Sequence, residues 1–190
     1  TDPARAIPLL EGVLNGTNSL ALKRQALYTL ALSKEPKAHQ ILLGYAKSTG
    51  NPDLQLEAIR YLVANRDKQA ASTKDLMDIY QATQDVQVRM AVISALRNSG
   101  DMTSLINIAS NNQTPIMLRT QAVGSLAGNA SATELWTLYE KETNRELKMQ
   151  LVGALSSIQA VDQLNRIART EKDVEVRRSA VRALGRQKTE

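Results

Sequence analysis

Six copies of one pattern run through this chain, and their spacing leaves few architectures open. Each copy has an apolar residue, then a long polar anchor, then apolar residues three, four and seven places after the anchor. The anchors are Lys23, Gln55, Arg89, Arg119, Lys148 and Arg177. The residue before the anchor is Leu22, Leu54, Val88, Leu118, Leu147 or Val176. The closing residue is always leucine: Leu30, Leu62, Leu96, Leu126, Leu155 and Leu184. Apolar residues so placed form one stripe of an α-helix. A motif returning every 29 to 34 residues marks a repeat array, in which each unit buries its apolar face on the next.

A second amphipathic helix lies between successive anchors. Its stripes are Leu10/Val13/Leu14, Leu42/Tyr45/Ala46, Leu76/Ile79/Tyr80, Leu105/Ile108/Ala109, Leu135/Leu138/Tyr139 and Leu164/Ile167/Ala168. The two series keep step, so each unit is a helical hairpin: a first helix (A), then the anchor-bearing helix (B). The predicted hairpins are 3–33, 36–66, 72–99, 101–128, 131–157 and 159–187, within one domain over 1–190. Helix B should open four residues before its anchor. Ser19, Asn51, Asp85, Asn144 and Asp173 stand there as N-caps, and Thr114–Pro115 supplies a proline for the first turn. Gly50, Gly100 and Gly128 fall where helices end and where a left-handed residue is expected. The longest joint, Asn65 to Ser72, reads as a turn inside one domain.

Composition agrees. There is no Phe and aromatics are only 3% of the chain, so the core must be aliphatic, which suits thin helical layers better than a β-sandwich. No apolar run approaches the ~18 residues that would span a membrane, so no membrane insertion is expected. With no cysteine, disulfides and thiolate metal sites are excluded, and both cytoplasmic and periplasmic settings remain compatible. The chain opens on Thr1 without a signal-peptide pattern, and a fragment of a longer protein is expected.

The segment Asp173-Val174-Glu175-Val176-Arg177 through Ala180-Val181 and Leu184 resembles helix B of a HEAT repeat, and Asp85 to Leu96 is similar. The likeness is to the short HEAT-like (armadillo-like) repeats of bacterial arrays, including those of phycobilin-lyase type. It covers the whole chain, with Lys23 and Gln55 replacing the usual arginine. It implies an all-α, right-handed α-α superhelix of six hairpins, with A helices on the convex side and B helices on the concave, partner-facing side.

Helical geometry then picks out the residues one and five places after each anchor, which point away from the core stripe. They are Arg24 and Tyr28, Leu56 and Arg60, Met90 and Ser94, Thr120 and Gly124, Met149 and Gly153, and Arg178 and Arg182, with Arg97 extending the third rung. Small residues flanked by methionine could form a groove for an apolar helix or peptide, with the arginines catching acidic flanks. Alternatively, the small residues only let neighbouring B helices approach closely. The buried anchor arginines Arg89, Arg119 and Arg177 need acceptors, carboxylates or carbonyls at the turns, with Asp85 and Asp173 the obvious candidates.

Catalysis finds little support. His39 is the sole histidine, so a His-based metal cluster is impossible and a Ser-His-Asp triad would have to pass through it. Asp75/Asp78 and Glu140/Glu142 read as solvent-facing helix charge. No glycine-rich phosphate loop occurs, and no cofactor is expected. The leading reading is a non-enzymatic scaffold for a protein or peptide, monomeric in isolation. The alternative is nucleic-acid backbone binding through Arg166, Arg169, Lys172, Arg177, Arg178, Arg182, Arg186 and Lys188, although acidic residues interleave and stacking aromatics are lacking. Trp136 follows core Leu135 and should sit half exposed, either packed on the next hairpin or contacting a partner.

Overall fold

The computed structural model describes residues 3–48, 50–64 and 71–187. Among these the fold is all-α, with twelve helices and no strand, and the chain divides into two compact units at residue 99/100. The first unit holds α1 (Pro3–Asn15), α2 (Leu20–Ala31), α3 (Pro36–Lys47), α4 (Pro52–Ala64), α5 (Thr73–Ala82) and α6 (Val86–Ser99). The second holds α7 (Met102–Ser110), α8 (Ile116–Leu126), α9 (Ala132–Lys141), α10 (Arg145–Ser157), α11 (Val161–Thr170) and α12 (Val174–Gln187).

Each unit is a stack of three hairpins. An odd-numbered A helix pairs with the B helix that follows it, and the B helices pack on one another in order, α2–α4–α6 and α8–α10–α12. The predicted Asn65–Ser72 joint lies largely outside the described residues.

The N-caps explain where the B helices start. Ser19, Asn51, Asp85, Asn144 and Asp173 each accept a bond from the backbone N–H three residues ahead, at Leu22, Leu54, Val88, Leu147 and Val176. Each satisfies one of the four free amides that open a helix. Pro115 is itself the N-cap of α8 and makes no side-chain bond, so the proline stands one place before the first turn. Two A helices open on capping boxes, Ser72 with Asp75 and Ser131 with Glu134. Gly100 and Gly128 are left-handed as expected; Gly50 is not, and after α10 the left-handed residue is Gln159.

The leucine series forms the core. Leu30, Leu62, Leu96, Leu126 and Leu155 are fully buried, whereas Leu184 is only half buried. The two ends of the series differ in a regular way. The residue before the anchor is buried in every copy except the first, where Leu22 is 46% exposed. The residue four after the anchor is buried in every copy except the last, where Val181 is 56% exposed.

The anchors plug the ends of the A helices. Gln55 Nε2 donates to Ala46 O, Arg89 Nε to Tyr80 O, Arg119 Nε to Ala109 O, and an Arg177 Nη to Glu171 O. Each acceptor is a carbonyl at the C-terminal end of helix A in the same hairpin, where intrahelical donors run out. Carbonyl partners were expected; the aspartates were not the right ones. Asp85 caps α6, and Asp173 caps α12 while pairing with Arg145 at 2.6 Å.

In the second unit two anchors bond a glutamate of the following hairpin, Arg119 in addition to its carbonyl and Lys148 through its ammonium. Arg119 pairs with Glu142, and Lys148 Nζ pairs with Glu171 at 2.7 Å. Glu142 is therefore buried, not solvent-facing as its sequence neighbourhood suggests. Both glutamates stand six residues before the next anchor. With the other oxygen each accepts two backbone N–H groups of its own turn, Thr143 and Asn144 for Glu142, Lys172 and Asp173 for Glu171. A buried ion pair is tolerated when its remaining lone pairs are satisfied, and these are. Burial alone would raise the Glu171 carboxyl, but hydrogen bonds from Lys148 and Tyr139 outweigh it and hold the pKa at about 2. Burial and the same carboxylate push the Tyr139 hydroxyl well above its ordinary value, so it stays protonated and donates.

Candidate functional site

On the B helices of the first unit, Arg24, Tyr28, Arg60, Ser94 and Arg97 are exposed, and Leu56 and Met90 half buried. This face is largely tied up by its own contacts. Arg24 pairs with Asp53 of the next B helix at 3.5 Å, and Arg60 with Glu57 at 3.3 Å. The Tyr28 ring leans against Tyr61, centroid to centroid 5.9 Å. Ser94 Oγ donates back to Met90 O in the preceding turn. Tyr61 is the member of this cluster that the spacing rule misses, because it lies six places after its anchor and not five.

On the B helices of the second unit, Gly124, Met149, Gly153, Arg178 and Arg182 are exposed and Thr120 is half buried. Gly124 and Gly153 occupy the same repeat position in α8 and α10. A Cβ built on either meets no atom within 4 Å. Close approach of neighbouring B helices therefore does not explain these glycines; the space above them is open. Met149 is 39% exposed beside them. Thr120 Oγ1 is enclosed and has no hydrogen-bond partner among the described residues. Arg178 is held by Glu175 at 2.7 Å, while Arg182 makes no ion pair among the described residues.

The other sequence candidates are mostly engaged. Of the basic C-terminal group, Arg166 lies 4.8 Å over the Trp136 ring and 3.5 Å from Glu140, and Arg177 plugs α11. Arg169 and Lys172 are exposed and make no ion pair among the described residues, and Lys188 lies outside those residues. Trp136 is half buried, stacked on Tyr139 at 5.5 Å, so it packs against the next hairpin through Arg166. His39 is half buried beside Leu30, Leu42 and Tyr61. Asp75 and Asp78 share Lys47 of the preceding hairpin, at 3.5 and 3.2 Å, and Lys74 adds a bond to Asp78. No cluster among the described residues has the ligands to hold a metal ion, and no described helix is long and apolar enough to cross a membrane.

A depression of about 530 Å³ lies between α1 and α3. Its polar groups satisfy one another, Lys37 with Glu11 at 3.5 Å and the Tyr45 hydroxyl with Asn15 at 2.9 Å. Burial first, and the Glu11 charge second, raise the Tyr45 pKa. The hydroxyl stays protonated and donates to Asn15. No protein-family model matches the chain, and the comparison with curated proteins finds no relative.

Proposed function

We propose that the chain is a non-catalytic, HEAT-like scaffold that holds a protein or peptide on the outer face of its B helices, with the centre of contact at Gly124, Gly153 and Met149. The observation that carries this reading is the open space above the two glycines. Glycine inside a helix costs about 1 kcal/mol relative to alanine. Where no neighbouring atom uses the missing side chain, the cost is offset by whatever approaches the backbone closely from outside. Met149, exposed beside them, adapts its shape to an apolar contact. Arg182, which pairs with no carboxylate among the described residues, favours a partner with an acidic flank. An amphipathic helix or extended segment meets these requirements.

The test exploits the fact that the glycines are not needed for packing. A variant with Gly124→Gln and Gly153→Gln fills the space, favours helix and leaves net charge unchanged. Its thermal midpoint should equal or exceed that of the native chain. A protein captured from lysate of the source organism by the native chain and lost by this variant supports the reading. Retention by both overturns it, and retention of nucleic acid that salt elutes from both favours backbone binding by the basic hairpins instead.

A further inference from the structure

A depression of about 430 Å³ lies where the ends of α1 and α3 meet the starts of α2 and α4. Residues of both hairpins line it, so it sits between two repeats and not at an end of the series. Lys23, the anchor of the first copy, lines it half buried. Every other charged anchor has a partner: Arg89 and Arg177 bond helix-end carbonyls, and Arg119 and Lys148 pair with glutamates. Lys23 makes no hydrogen bond or ion pair among the described residues. At the end of its own helix A, Asn18 Nδ2 makes the tie instead, to Val13 O at 2.9 Å. Six residues before the next anchor, where Glu142 and Glu171 stand in the second unit, the sequence has Thr49, which carries no charge and lies outside the described residues.

The corresponding junction of the second unit, among α7 to α10, is a smaller cleft of about 160 Å³ with Arg119 and Glu142 in its wall. The first junction has the cation and more room, and no residue lining it is Asp or Glu. Asn15 and Asn51 line it too, and each already uses its carbonyl oxygen, accepting from the Tyr45 hydroxyl at 2.9 Å and from Leu54 N–H at 3.1 Å. Amides so engaged have N–H groups left to offer, and a carboxylate is the group that only accepts. Leu14, Leu20 and Leu54 supply apolar wall. We propose that this depression binds a small organic carboxylate with a short apolar tail. The anionic group pairs with Lys23 as Glu171 pairs with Lys148, and the Asn15 and Asn51 amides donate to it. The tail lies against the leucines. A half-buried ammonium gains more from such a charge than one surrounded by water, because the effective dielectric is lower.

The probe is 3-phenylpropionate, titrated into the full chain while the methyl resonances of Leu14, Leu20 and Leu54 are followed. They should shift together and saturate. The neutral amide of the same acid keeps the shape without the charge and should bind about tenfold more weakly, the effect of losing one charge-assisted hydrogen bond. Lys23→Gln should weaken the acid equally, and Lys23→Arg, which keeps a cation there, should retain most of the affinity. Glutamine is already the anchor of the second copy, so Lys23→Gln should fold, with a thermal midpoint close to that of the native chain. The amide comparison needs no variant and decides the matter if that one is destabilised. Leucine methyls unmoved at ~50 mM acid, enough to saturate a millimolar site, overturn the proposal. So does equal affinity for the amide, or undiminished binding by Lys23→Gln. Inorganic phosphate that moves the same methyls at equal concentration also overturns it, by showing a site for any anion.

Discussion

Six residues before the anchor, the first unit has Thr17, Thr49 and Thr83, and the second has Gln113, Glu142 and Glu171. The anchors change with them. In the first unit Gln55 is buried and neutral, and Arg89 is half buried with its guanidinium over the Tyr80 ring at 4.9 Å. In the second, Arg119 is only 7% exposed and meets a carboxylate. Both units use the same plug into the end of helix A. The difference shows when a second tie is required. A buried amide is satisfied by one carbonyl, and a guanidinium at the stack's edge is satisfied by a carbonyl and an aromatic face. A guanidinium taken fully out of water needs a counter-charge.

The sharpest way to break this contrast is to remove the carboxylate. Glu142→Gln leaves Arg119 buried with a carbonyl alone and should cost the second unit about 3 kcal/mol. Thr83→Ala, at the corresponding position of the first unit, loses only the bond from Asp85 N–H to the Thr83 hydroxyl and should cost about 1 kcal/mol. Native-state hydrogen exchange resolved by residue reads α8 and α10 separately from α4 and α6. Equal losses in the two units would show that the glutamate is incidental.

Acid provides a milder probe of the same tie. The Glu171 carboxyl has a pKa of about 2 in the fold against an ordinary 4.5. Between these values the unfolded chain binds more protons than the folded one, so stability falls as pH falls. The contribution is complete above about pH 4.5 and is lost on passing down through about pH 2. Urea midpoints measured across this window should drop more steeply for the native chain than for Glu171→Gln. In the first unit the carboxyls held low are Asp75, chiefly by the Ser72 hydroxyl, and Asp78, chiefly by Lys74, and both sit at the surface. Parallel slopes for the native chain and Glu171→Gln would sink the assignment.

Much of the fold was legible because it is written in local rules. Ser19, Asn51, Asp85, Asn144 and Asp173 announce helix starts by cap chemistry alone, and the leucine series announces the core by helical period. Glu142 was misread because burial of a charge is not a local property. It depends on Arg119, 23 residues away, and nothing in Glu140-Lys141-Glu142 distinguishes it from solvated charge. Only its equivalence to Glu171, 29 residues on, carried a signal. Leu184 and Val181 are less buried than their equivalents for a related reason: the pattern is identical in every copy, while burial depends on what packs against each one. The exposed strip was legible as geometry, since all thirteen of its residues lie at the surface or half buried. Which part of it is unoccupied by its own neighbours was not, because the Tyr28–Tyr61 and Arg24–Asp53 contacts join separate helices.

The smallest expected effect bears on that last point. Five places after the anchor, the first unit presents Tyr28, Arg60 and Ser94, all with side chains, and the second presents Gly124 and Gly153 before Arg182. If the glycines are free of any packing duty, Gly124→Ala and Gly153→Ala should each stabilise the chain by about 0.5–1 kcal/mol, because alanine loses less backbone freedom on folding. Ser94→Ala in the first unit should gain less, a few tenths of a kcal/mol, by removing a bond to the preceding turn that competes with the helix. Gly128→Ala should destabilise, since its φ of 82° strains any side chain. Thermal unfolding of the four variants orders them. A loss of stability at Gly124 or Gly153 would mean that the space above them is used within the fold, and the case for a partner at that surface would fall with it.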